Sequence, residues 1–321
     1  MTRDRSYIQH PLIPRLDSLH DLSTATHLSP GLLFKLSTHN SWYYKVYTIP
    51  KSSGGVREIA EPARPMKAVQ YWILKNILQH LPLHPAATGF RTGQSTLKNA
   101  SIHKNNKYVL CLDINDFFPS IKYPFVYTIF HSLGYNMHVS HILASLCTLN
   151  GRLPQGGVTS PALSNLCCVR LDRRISGYCG PRNIAYTRYA DDMTFSSMNS
   201  KRLVGLYQRV KTIIEDEHLV LNEAKTRYMG PARRKRITGL VVGDGQAGIG
   251  RKLERTVRAS IYNLSKNNEL AGISWTEEQL RGWLAYLHSV DPNRHQRMIK
   301  YIRGLSVRLD IPILRSRLGI N

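Results

Sequence analysis

Apolar residues recur at two spacings along the chain, and the shorter spacing marks strands. Five runs rich in β-branched and aromatic residues predict strands at 42–49, 56–60, 107–114, 183–189 and 193–196. The first two flank a Ser- and Gly-rich segment, which favours a hairpin. The third is a continuous apolar run that ends near an acidic residue, which predicts a buried strand. The last two flank a short acidic segment and indicate a second hairpin.

Apolar positions three and four residues apart predict helices elsewhere. Ser29-Pro30, Ser160-Pro161 and Asp291-Pro292 each pair a capping residue with proline, which is typical of a helix start. Ser274 and Glu277 have the spacing of a capping box. We therefore predict helices at 30–36, 66–81, 125–150, 160–175, 203–217, 253–264, 280–287 and 292–305.

The composition fits a folded protein with an anionic partner. The 321 residues suit one large domain or two to three packed subdomains, and the hydrophobic fraction of 42% is in the globular range. The formal net charge is +23, and residues 232–321 alone hold 17 basic against 7 acidic side chains. Such an excess points to a polyanion. A basic surface that only keeps the chain soluble is the plainer alternative.

The five cysteines lie at positions 111, 147, 167, 168 and 179, mostly within apolar runs. None forms a C-x-x-C pair and their number is odd, so we expect buried free thiols, as in a reducing cytosol. The N-terminal segment lacks the apolar core of a signal peptide, and no stretch of 18 apolar residues occurs. These features predict a cytoplasmic protein without a membrane span.

Three acidic residues stand out because of where the predicted strands place them. Asp113 lies at the end of the buried strand, and Asp191 and Asp192 lie at the tip of the second hairpin, 78 residues later. Carboxylates held close together repel strongly in a poorly solvated site. A divalent cation between them offsets this repulsion, and Mg²⁺ suits hard oxygen ligands while keeping positions open for phosphate.

Two such ions support an in-line phosphoryl displacement. One lowers the pKa of the attacking hydroxyl, and the other stabilises the leaving oxygen. The same arrangement serves polymerases and nucleases. An isolated Asp-Asp pair is more often a plain turn, so this interpretation depends on the strands and motifs around the pair.

Three boxes around these acids resemble the reverse transcriptase family. Tyr189-Ala190-Asp191-Asp192 is similar to the family's Tyr-x-Asp-Asp box, and LDINDFFPSI at 112–121 is similar to its first palm motif. Leu153-Pro154-Gln155-Gly156, followed by Ser160-Pro161, resembles the segment between them. The order and spacing also agree. The resemblance implies an RNA-directed DNA polymerase of α+β class, with right-hand architecture: fingers, a palm of antiparallel sheet and helices, and a helical thumb.

The resemblance also divides the chain. Residues 1–105 would form the N-terminal region and fingers. Residues 106–231 would form the palm, with part of the fingers between its first two motifs, and 232–321 the basic helical thumb. The implied substrates are dNTPs, and the implied cofactor is a pair of Mg²⁺ ions, with Mn²⁺ as a substitute. The implied metal ligands are Asp113, the Ile114 carbonyl, Asp191 and Asp192, and the three aspartates are the implied catalytic acids.

Four further residues are implied to bind the nucleotide. Phe118 matches the bulky gate position that crowds a ribose 2′-OH, and Gln155 would lie along the incoming nucleotide. Arg57 would meet the triphosphate, since a guanidinium pairs with phosphate oxygens in a forked geometry. Lys225 would protonate pyrophosphate. The residue types alone also allow a core phenylalanine, a solvated strand arginine and a surface lysine.

Four other boxes resemble the retron reverse transcriptases within that family. Asn99-Ala100-Ser101-Ile102-His103 and Ile237-Thr238-Gly239-Leu240 match retron sequence, the latter with Ile in place of Val. Arg281-Gly282-Trp283-Leu284 and Ser289-Val290-Asp291 resemble the retron thumb. Trp283 could stack on a base, although its spacing to Leu287 favours core packing. The candidate RNA or DNA contacts are Asn99, His103, Thr238, Gly239, Arg281 and Trp283.

The retron resemblance implies particular partners. Such enzymes copy a structured noncoding RNA of msr-msd type, starting from the 2′-OH of a guanosine, and give a branched RNA–DNA hybrid, msDNA. Their complexes act with effector proteins in anti-phage defence. The basic C-terminal helices suit RNA, which proteins recognise through shape, phosphates and 2′-hydroxyls.

Three alternatives remain open. A group II intron-like reverse transcriptase would need more chain after the thumb. An RNA-dependent RNA polymerase would need space at Phe118. A non-catalytic nucleic-acid-binding scaffold fits the charge, but has no reason to place three acids together in a basic protein.

Overall fold

The computed structural model describes residues 12–51, 54–243, 245–265, 275–309 and 318–319. The α-helices in these ranges are α1 (Leu19–Thr26), α2 (Pro30–Thr38), α3 (Arg64–Asn76), α4 (Thr96–Ser101), α5 (Phe117–Ser120), α6 (Tyr123–Ser132), α7 (Met137–Cys147), α8 (Ser160–Cys167), α9 (Val169–Cys179), α10 (Ser200–Val204), α11 (Leu206–Asp216), α12 (Arg251–Ser265), α13 (Glu277–Val290) and α14 (Pro292–Arg308). The strands are β1 (Tyr44–Pro50), β2 (Val56–Pro62), β3 (Tyr108–Asp113), β4 (Ala185–Tyr189), β5 (Asp192–Ser197), β6 (Arg227–Met229), β7 (Lys235–Ile237), β8 (Leu240–Gly243) and β9 (Gln246–Gly248).

The strands form three sheets. β1 and β2 are an antiparallel pair, in which Ile49 lies opposite Arg57. A four-stranded sheet has the order β4-β5-β3-β6, and a three-stranded sheet has the order β7-β8-β9. Every residue of β3 after Tyr108 is buried, as its continuous apolar run predicts. The strands and both hairpins predicted from the sequence are confirmed within one to three residues.

Several predicted helices are broken where the chain turns. Gly134, with φ of 94°, separates α6 from α7 within the predicted 125–150 helix. The predicted 160–175 helix divides at Cys168, and the predicted 203–217 helix divides at Gly205. Gly134 adopts the left-handed backbone that glycine permits, whereas Cys168 and Gly205 keep φ values of −87° and −72°. The apolar spacing continues across each break although the helix does not.

Only some of the helix starts follow the predicted capping chemistry. Ser29 accepts a hydrogen bond from the Leu32 amide, as the Ser-Pro pair predicts, whereas Ser160 is the first residue of α8 and not its cap. The predicted capping box at Ser274 and Glu277 is wrong: Ser274 lies outside the described residues, and Thr276 caps α13 in a box with Gln279. Thr276 is the better cap because its hydroxyl reaches the Gln279 amide, at 3.3 Å.

The chain divides into two compact units. The first comprises Met1–Gln94, Leu110–Phe195 and Lys201–Arg227. In this unit, α7 packs against α2, α3 and α6 around fully buried side chains such as those of Leu33, Ile73, Phe130 and Leu143.

The second unit comprises Ser95–Val109, Ser196–Ser200 and Tyr228–Asn321. In it, α12 and α13 both pack against α14, and the buried residues include Val257, Ile261, Leu280, Leu287 and Ile302. None of the helices in the described part of the chain is long and apolar enough to cross a bilayer. All five cysteines are free; four are buried and Cys167 is partly exposed, which confirms most of that prediction.

Candidate functional site

The strand order brings the three acids to one place. Asp113 is the last residue of β3, Asp192 is the first residue of β5, and β3 and β5 are neighbours. Asp191 lies in the two-residue turn between β4 and β5, and its carbonyl accepts a hydrogen bond of 3.2 Å from the Ile114 amide. The end of the central strand is thus bonded to the turn, so the chain backbone fixes the spacing of the acids.

A second segment holds Asp113 from the other side. The Asn222 amide donates to the Asp113 carbonyl and the Asn115 amide donates to the Val220 carbonyl, both at 2.8 Å. Ile114 and Leu221 form an antiparallel bridge between these bonds. The loop after α11 therefore extends the pairing of β3 beyond its last residue.

The carboxylates lie close together in a partly buried site, and their negative charges repel one another. Burial, followed by repulsion from Asp191 and Asp113, raises the pKa of Asp192 to about 6. Burial and the charge of Asp113 also raise the pKa of Asp191, while the charge of Arg57 acts in the opposite direction. Negative charge is therefore costly here, and a cation that enters the site is favoured.

Lys225 supplies one such cation from the protein. Its Nζ donates to Asp113 Oδ1 at 2.8 Å, and this hydrogen bond raises the pKa of Lys225. The lysine side chain is half exposed, whereas the Asp113 side chain is only 8% exposed. Lys225 can therefore leave the carboxylate without unfolding its surroundings.

The donors fit a hard divalent cation, although the ligand set is not preformed. Carboxylate and carbonyl oxygens are the ligands that Mg²⁺ prefers. Among the described residues, however, no three His, Cys, Asp or Glu side chains are grouped closely enough to hold a metal. The Lys225 ammonium lies on Asp113, where it partly neutralises the acids. Metal binding would require Asp113 to exchange that ion pair for metal coordination.

A buried ion pair fixes the turn that carries Asp191. Arg188 of β4 is fully buried, and its guanidinium donates to both Asp172 oxygens of α9, at 2.6 and 2.8 Å. Its Nη1 donates to the Ala190 carbonyl at 3.0 Å and to Asn165 Oδ1 of α8 at 3.1 Å. Sequence reasoning missed this network, because it predicted a strand around Arg188 but not its burial, and a buried arginine requires a buried partner.

The segment before Phe90 packs against the same turn. The Arg188 amide donates to the Ala86 carbonyl, and the Thr88 amide donates to the Arg188 carbonyl. A Cβ on Gly89 would lie 2.7 Å from the Ala190 amide nitrogen. Ala190 itself has φ of 58°. Only glycine allows the two backbone segments to approach so closely. Sequence reasoning did not use Gly89 to predict this contact.

Aromatic rings lie beside the acids. Phe118 of α5 is half-buried, with its ring centroid 5.6 Å from that of Phe117 and 5.9 Å from that of Phe90. Phe90 also contacts Tyr189, at 6.5 Å between centroids. Phe118 thus lies on the short helix that follows β3, in contact with two other aromatic rings.

The predicted nucleotide residues Gln155 and Arg57 are connected through β2. The Ala60 amide donates to the Gln155 carbonyl at 2.9 Å, and a Cβ on Gly156 would lie 2.7 Å from the Ala60 carbonyl oxygen. Arg57 is exposed three residues earlier on β2, and its charge influences Asp191. The hairpin and the Gln155 segment are thus joined by a backbone hydrogen bond, and Arg57 is the residue of this pair whose charge reaches Asp191.

Three candidate nucleic-acid contacts are internal residues instead. Asn99 and His103 are buried; Asn99 Nδ2 donates to Thr238 Oγ1 at 3.4 Å, and His103 Nδ1 lies 2.7 Å from Ser196 Oγ. Burial lowers the pKa of His103 to about 3, so it is neutral. Trp283 is 7% exposed and packs edge-on to Trp275. Burial favours a packing role for these three side chains, as the spacing to Leu287 does for Trp283, and direct contact with RNA stays a prediction.

The remaining candidates are accessible. Thr238 and Gly239 form a turn between β7 and β8, with φ of 45° and 84°. Gly239 is exposed, and Thr238 is partly exposed with its hydroxyl donating to the Thr96 carbonyl. Arg281 is half exposed and lies 3.7 Å from Glu277. The Asn99–Thr238 hydrogen bond joins two of the retron-like boxes.

Comparison with known proteins identifies the class to which this site belongs. The family model described as reverse transcriptase (RNA-dependent DNA polymerase) matches residues 49–243, a span that contains all three acids. The chain therefore belongs to the reverse transcriptase family. Its helices and antiparallel sheets are the right-hand polymerase fold of that family, so the predicted fold class and the RNA-directed DNA polymerase activity are confirmed.

Sequence relatives place the chain among the retron enzymes of that family. It is 41% identical over 295 residues to retron Ec86 reverse transcriptase from Escherichia coli, covering 91% of each chain. It is 32% identical over 330 residues to retron Mx162 reverse transcriptase from Myxococcus xanthus, covering 91% of this chain and 68% of that one. The predicted retron resemblance is confirmed.

Solved structures give weaker likenesses. A foamy viral protease-reverse transcriptase in complex with RNA/DNA hybrid is 16% identical, with a TM-score of 0.42 over 75% of this chain and 26% of the viral chain. Telomerase from Candida albicans is 12% identical, with a TM-score of 0.48 over 86% of this chain and 61% of the telomerase chain. The chain spans less than two thirds of each, and these likenesses add nothing to the assignment made from sequence.

Proposed function

We propose that this enzyme reverse-transcribes a structured noncoding RNA of msr-msd type into msDNA. Synthesis would start at the 2′-OH of a guanosine in that RNA and give a branched RNA–DNA hybrid. The observation that carries the proposal is the 41% identity to a retron reverse transcriptase across nearly the whole of both chains. A retron effector protein, a role in anti-phage defence and a cytoplasmic location belong to the same proposal.

The acids would hold the catalytic metal. Asp113, Asp191 and Asp192, with the Ile114 carbonyl, are the hard-oxygen donors at the meeting of β3 and the β4–β5 turn. Bound Mg²⁺, or Mn²⁺ in its place, would lower the pKa of the attacking hydroxyl and stabilise the leaving oxygen. The Arg188–Asp172 pair and Gly89 would keep the turn in register with Asp113.

The other site residues would hold the nucleotide. Arg57 would pair with the triphosphate, since it lies on the exposed hairpin close enough to influence Asp191. Gln155 would lie along the nucleotide, and Phe118 would crowd a ribose 2′-OH. The Lys225 Nζ lies on Asp113. Once the lysine side chain has left Asp113, it would donate a proton from Nζ to pyrophosphate.

The second unit would bind the RNA. A cleft of about 820 Å³ in this unit is lined by the basic side chains of Lys104, Arg233, Arg234, Lys235, Arg294 and Arg297. Phosphate contacts supply most of the affinity of such surfaces and make it sensitive to salt. Gly239 and Arg281 lie on accessible parts of the same unit. We keep the division into fingers (1–105), palm (106–231) and thumb (232–321) as part of the proposal.

The catalytic role is tested by Asp191→Asn combined with Asp192→Asn. Removing both charges should lower Mg²⁺-dependent dNTP incorporation by more than about 10³-fold, because a catalytic metal contributes several kcal/mol. RNA affinity should remain within about twofold, since positive charge on the second unit supplies it. Asp216→Asn, which alters an exposed acid of the same unit, is the matched control. Undiminished synthesis by the double variant would contradict the mechanism.

The retron product is tested by the nucleic acid that copurifies with the enzyme. We expect one part that ribonuclease removes and one part that deoxyribonuclease removes, joined through a 2′,5′ branch. Linear cDNA without a branch would favour the group II intron-like alternative. RNA alone, unchanged by added dNTPs, would favour the non-catalytic scaffold.

A further inference from the structure

A second phenylalanine lies beside the proposed gate. The Phe90 ring is 5.9 Å from the Phe118 ring and 6.5 Å from the Tyr189 ring. Phe118 also contacts Phe117, at 5.6 Å. Phe118 therefore has two aromatic neighbours, and Phe90 is the one that also reaches Tyr189, the residue before the β4–β5 turn.

The backbone around Phe90 is held in place. Phe90 has φ of 57°, a left-handed conformation that is rare for a bulky residue. The preceding Gly89 presses against the Ala190 amide, and its carbonyl accepts a hydrogen bond of 2.8 Å from Asn165 Nδ2. The fold thus maintains an unfavourable backbone conformation at this position, which is typical of functional sites.

Ordinary core packing does not account for this placement. Phe90 is 44% exposed although it sits among buried elements. A ring kept partly in solvent gains less from burial than a core phenylalanine does. The strained conformation is explained better by what the ring touches than by the apolar area that it covers.

We propose that Phe90 is a positioning residue for nucleotide selection. Its ring packs against Phe118 and limits the directions in which the Phe118 ring can turn. Without Phe90, the gate ring gains freedom to move aside for a ribose 2′-OH. The inference rests on the gate role proposed for Phe118 and adds a second residue to it.

The test compares kcat/KM for dNTPs and for the matching ribonucleotides in the full-length enzyme. Phe118→Ala should lower discrimination against ribonucleotides most. Phe90→Ala should lower it in the same direction by roughly 2- to 10-fold, the effect of one aromatic pair. Combining both should give no more loss than Phe118→Ala alone, because Phe90 acts through Phe118. Phe90→Tyr should retain discrimination.

Phe125→Ala is the matched control, since Phe125 is 42% exposed in the same unit and contacts His218 instead. If Phe118→Ala leaves discrimination unchanged, the gate proposal fails. If Phe118→Ala lowers it but Phe90→Ala reduces the use of both nucleotides equally, the gate stands and the role of Phe90 is overturned. Should Phe90→Ala not fold, Phe90→Leu decides: lowered discrimination supports the inference, and unchanged discrimination overturns it.

Discussion

Two hairpins of the first unit carry residues of the candidate site. The β4–β5 hairpin bears Asp191 and Asp192, the β1–β2 hairpin bears Arg57, and the two are built in opposite ways. In β4 and β5, most positions are buried, and Arg188 is enclosed completely. In β1 and β2, most positions are exposed, including apolar ones such as Val46 and Val56. One hairpin is therefore fixed on both faces, while the other is held mainly by its own ladder and by the bond from Ala60 to Gln155.

We relate this difference to the roles that we propose for the two hairpins. Carboxylates that share a metal must be held within a few tenths of an ångström, so the acidic turn is surrounded by rigid partners. A guanidinium that binds a flexible triphosphate needs a long, mobile side chain more than a rigid backbone. Substitutions in the buried hairpin should thus reduce stability first, and substitutions in the exposed hairpin should reduce binding first.

The largest effect is expected for Arg188→Met. It leaves Asp172 buried without its partner, which should lower the free energy of unfolding by about 3–5 kcal/mol. Arg174→Met, which breaks a more exposed ion pair with Asp216 and Glu217, should cost about 1 kcal/mol or less. Denaturant unfolding measures both. Adding Asp172→Leu to Arg188→Met should recover part of the loss; equal losses for Arg188→Met and Arg174→Met would show that the buried pair does not fix the hairpin.

A smaller effect is expected for Gly89→Ala. Its Cβ would lie 2.7 Å from the Ala190 amide nitrogen, and overpacking of this kind costs about 1–3 kcal/mol. Because the strain falls on the catalytic turn, kcat should fall while RNA affinity is kept. Gly177→Ala in α9 is the control, since no atom lies within 4 Å of its added methyl group. Full activity in Gly89→Ala would mean that the turn tolerates displacement.

The smallest effect on stability is expected for Arg57→Ala. The exposed side chain should contribute less than about 0.5 kcal/mol to the free energy of unfolding. Loss of a charged hydrogen bond to the triphosphate should nevertheless raise KM for dNTPs about tenfold or more. Lys45→Ala removes a positive charge from β1 of the same hairpin and is the control. An unchanged KM for dNTPs would show that Arg57 does not bind the nucleotide, and the two hairpins would then differ in stability but not in the proposed function.

The sequence predicted both hairpins and the convergence of the acids because those features are local or are carried by specific boxes. The buried run before Asp113 and the acidic pair between two strands are visible without tertiary information. The breaks at Gly134 and Gly205 were missed, because the apolar spacing continues through them.

Unlike the convergence of the acids, individual side-chain pairings between distant segments were not predicted. Lys225 lies 112 residues from Asp113, and only the pairing beside β3 brings them together. Asp172 and Arg188 lie on different elements, so nothing in their local sequence names them as partners. His103, a marker residue of the retron resemblance, is a buried neutral side chain in the structure.

The strand order has a consequence for how the enzyme is made. β3 emerges from the ribosome long before β5, its neighbour in the sheet, because synthesis proceeds from the N-terminus at about 5–20 residues per second. During that interval Asp113 has no partner acids, and the central strand has an open edge. A chain released early would therefore be inert as a polymerase and prone to aggregate through that edge. Catalytic competence arises late in translation, when the second hairpin closes against β3.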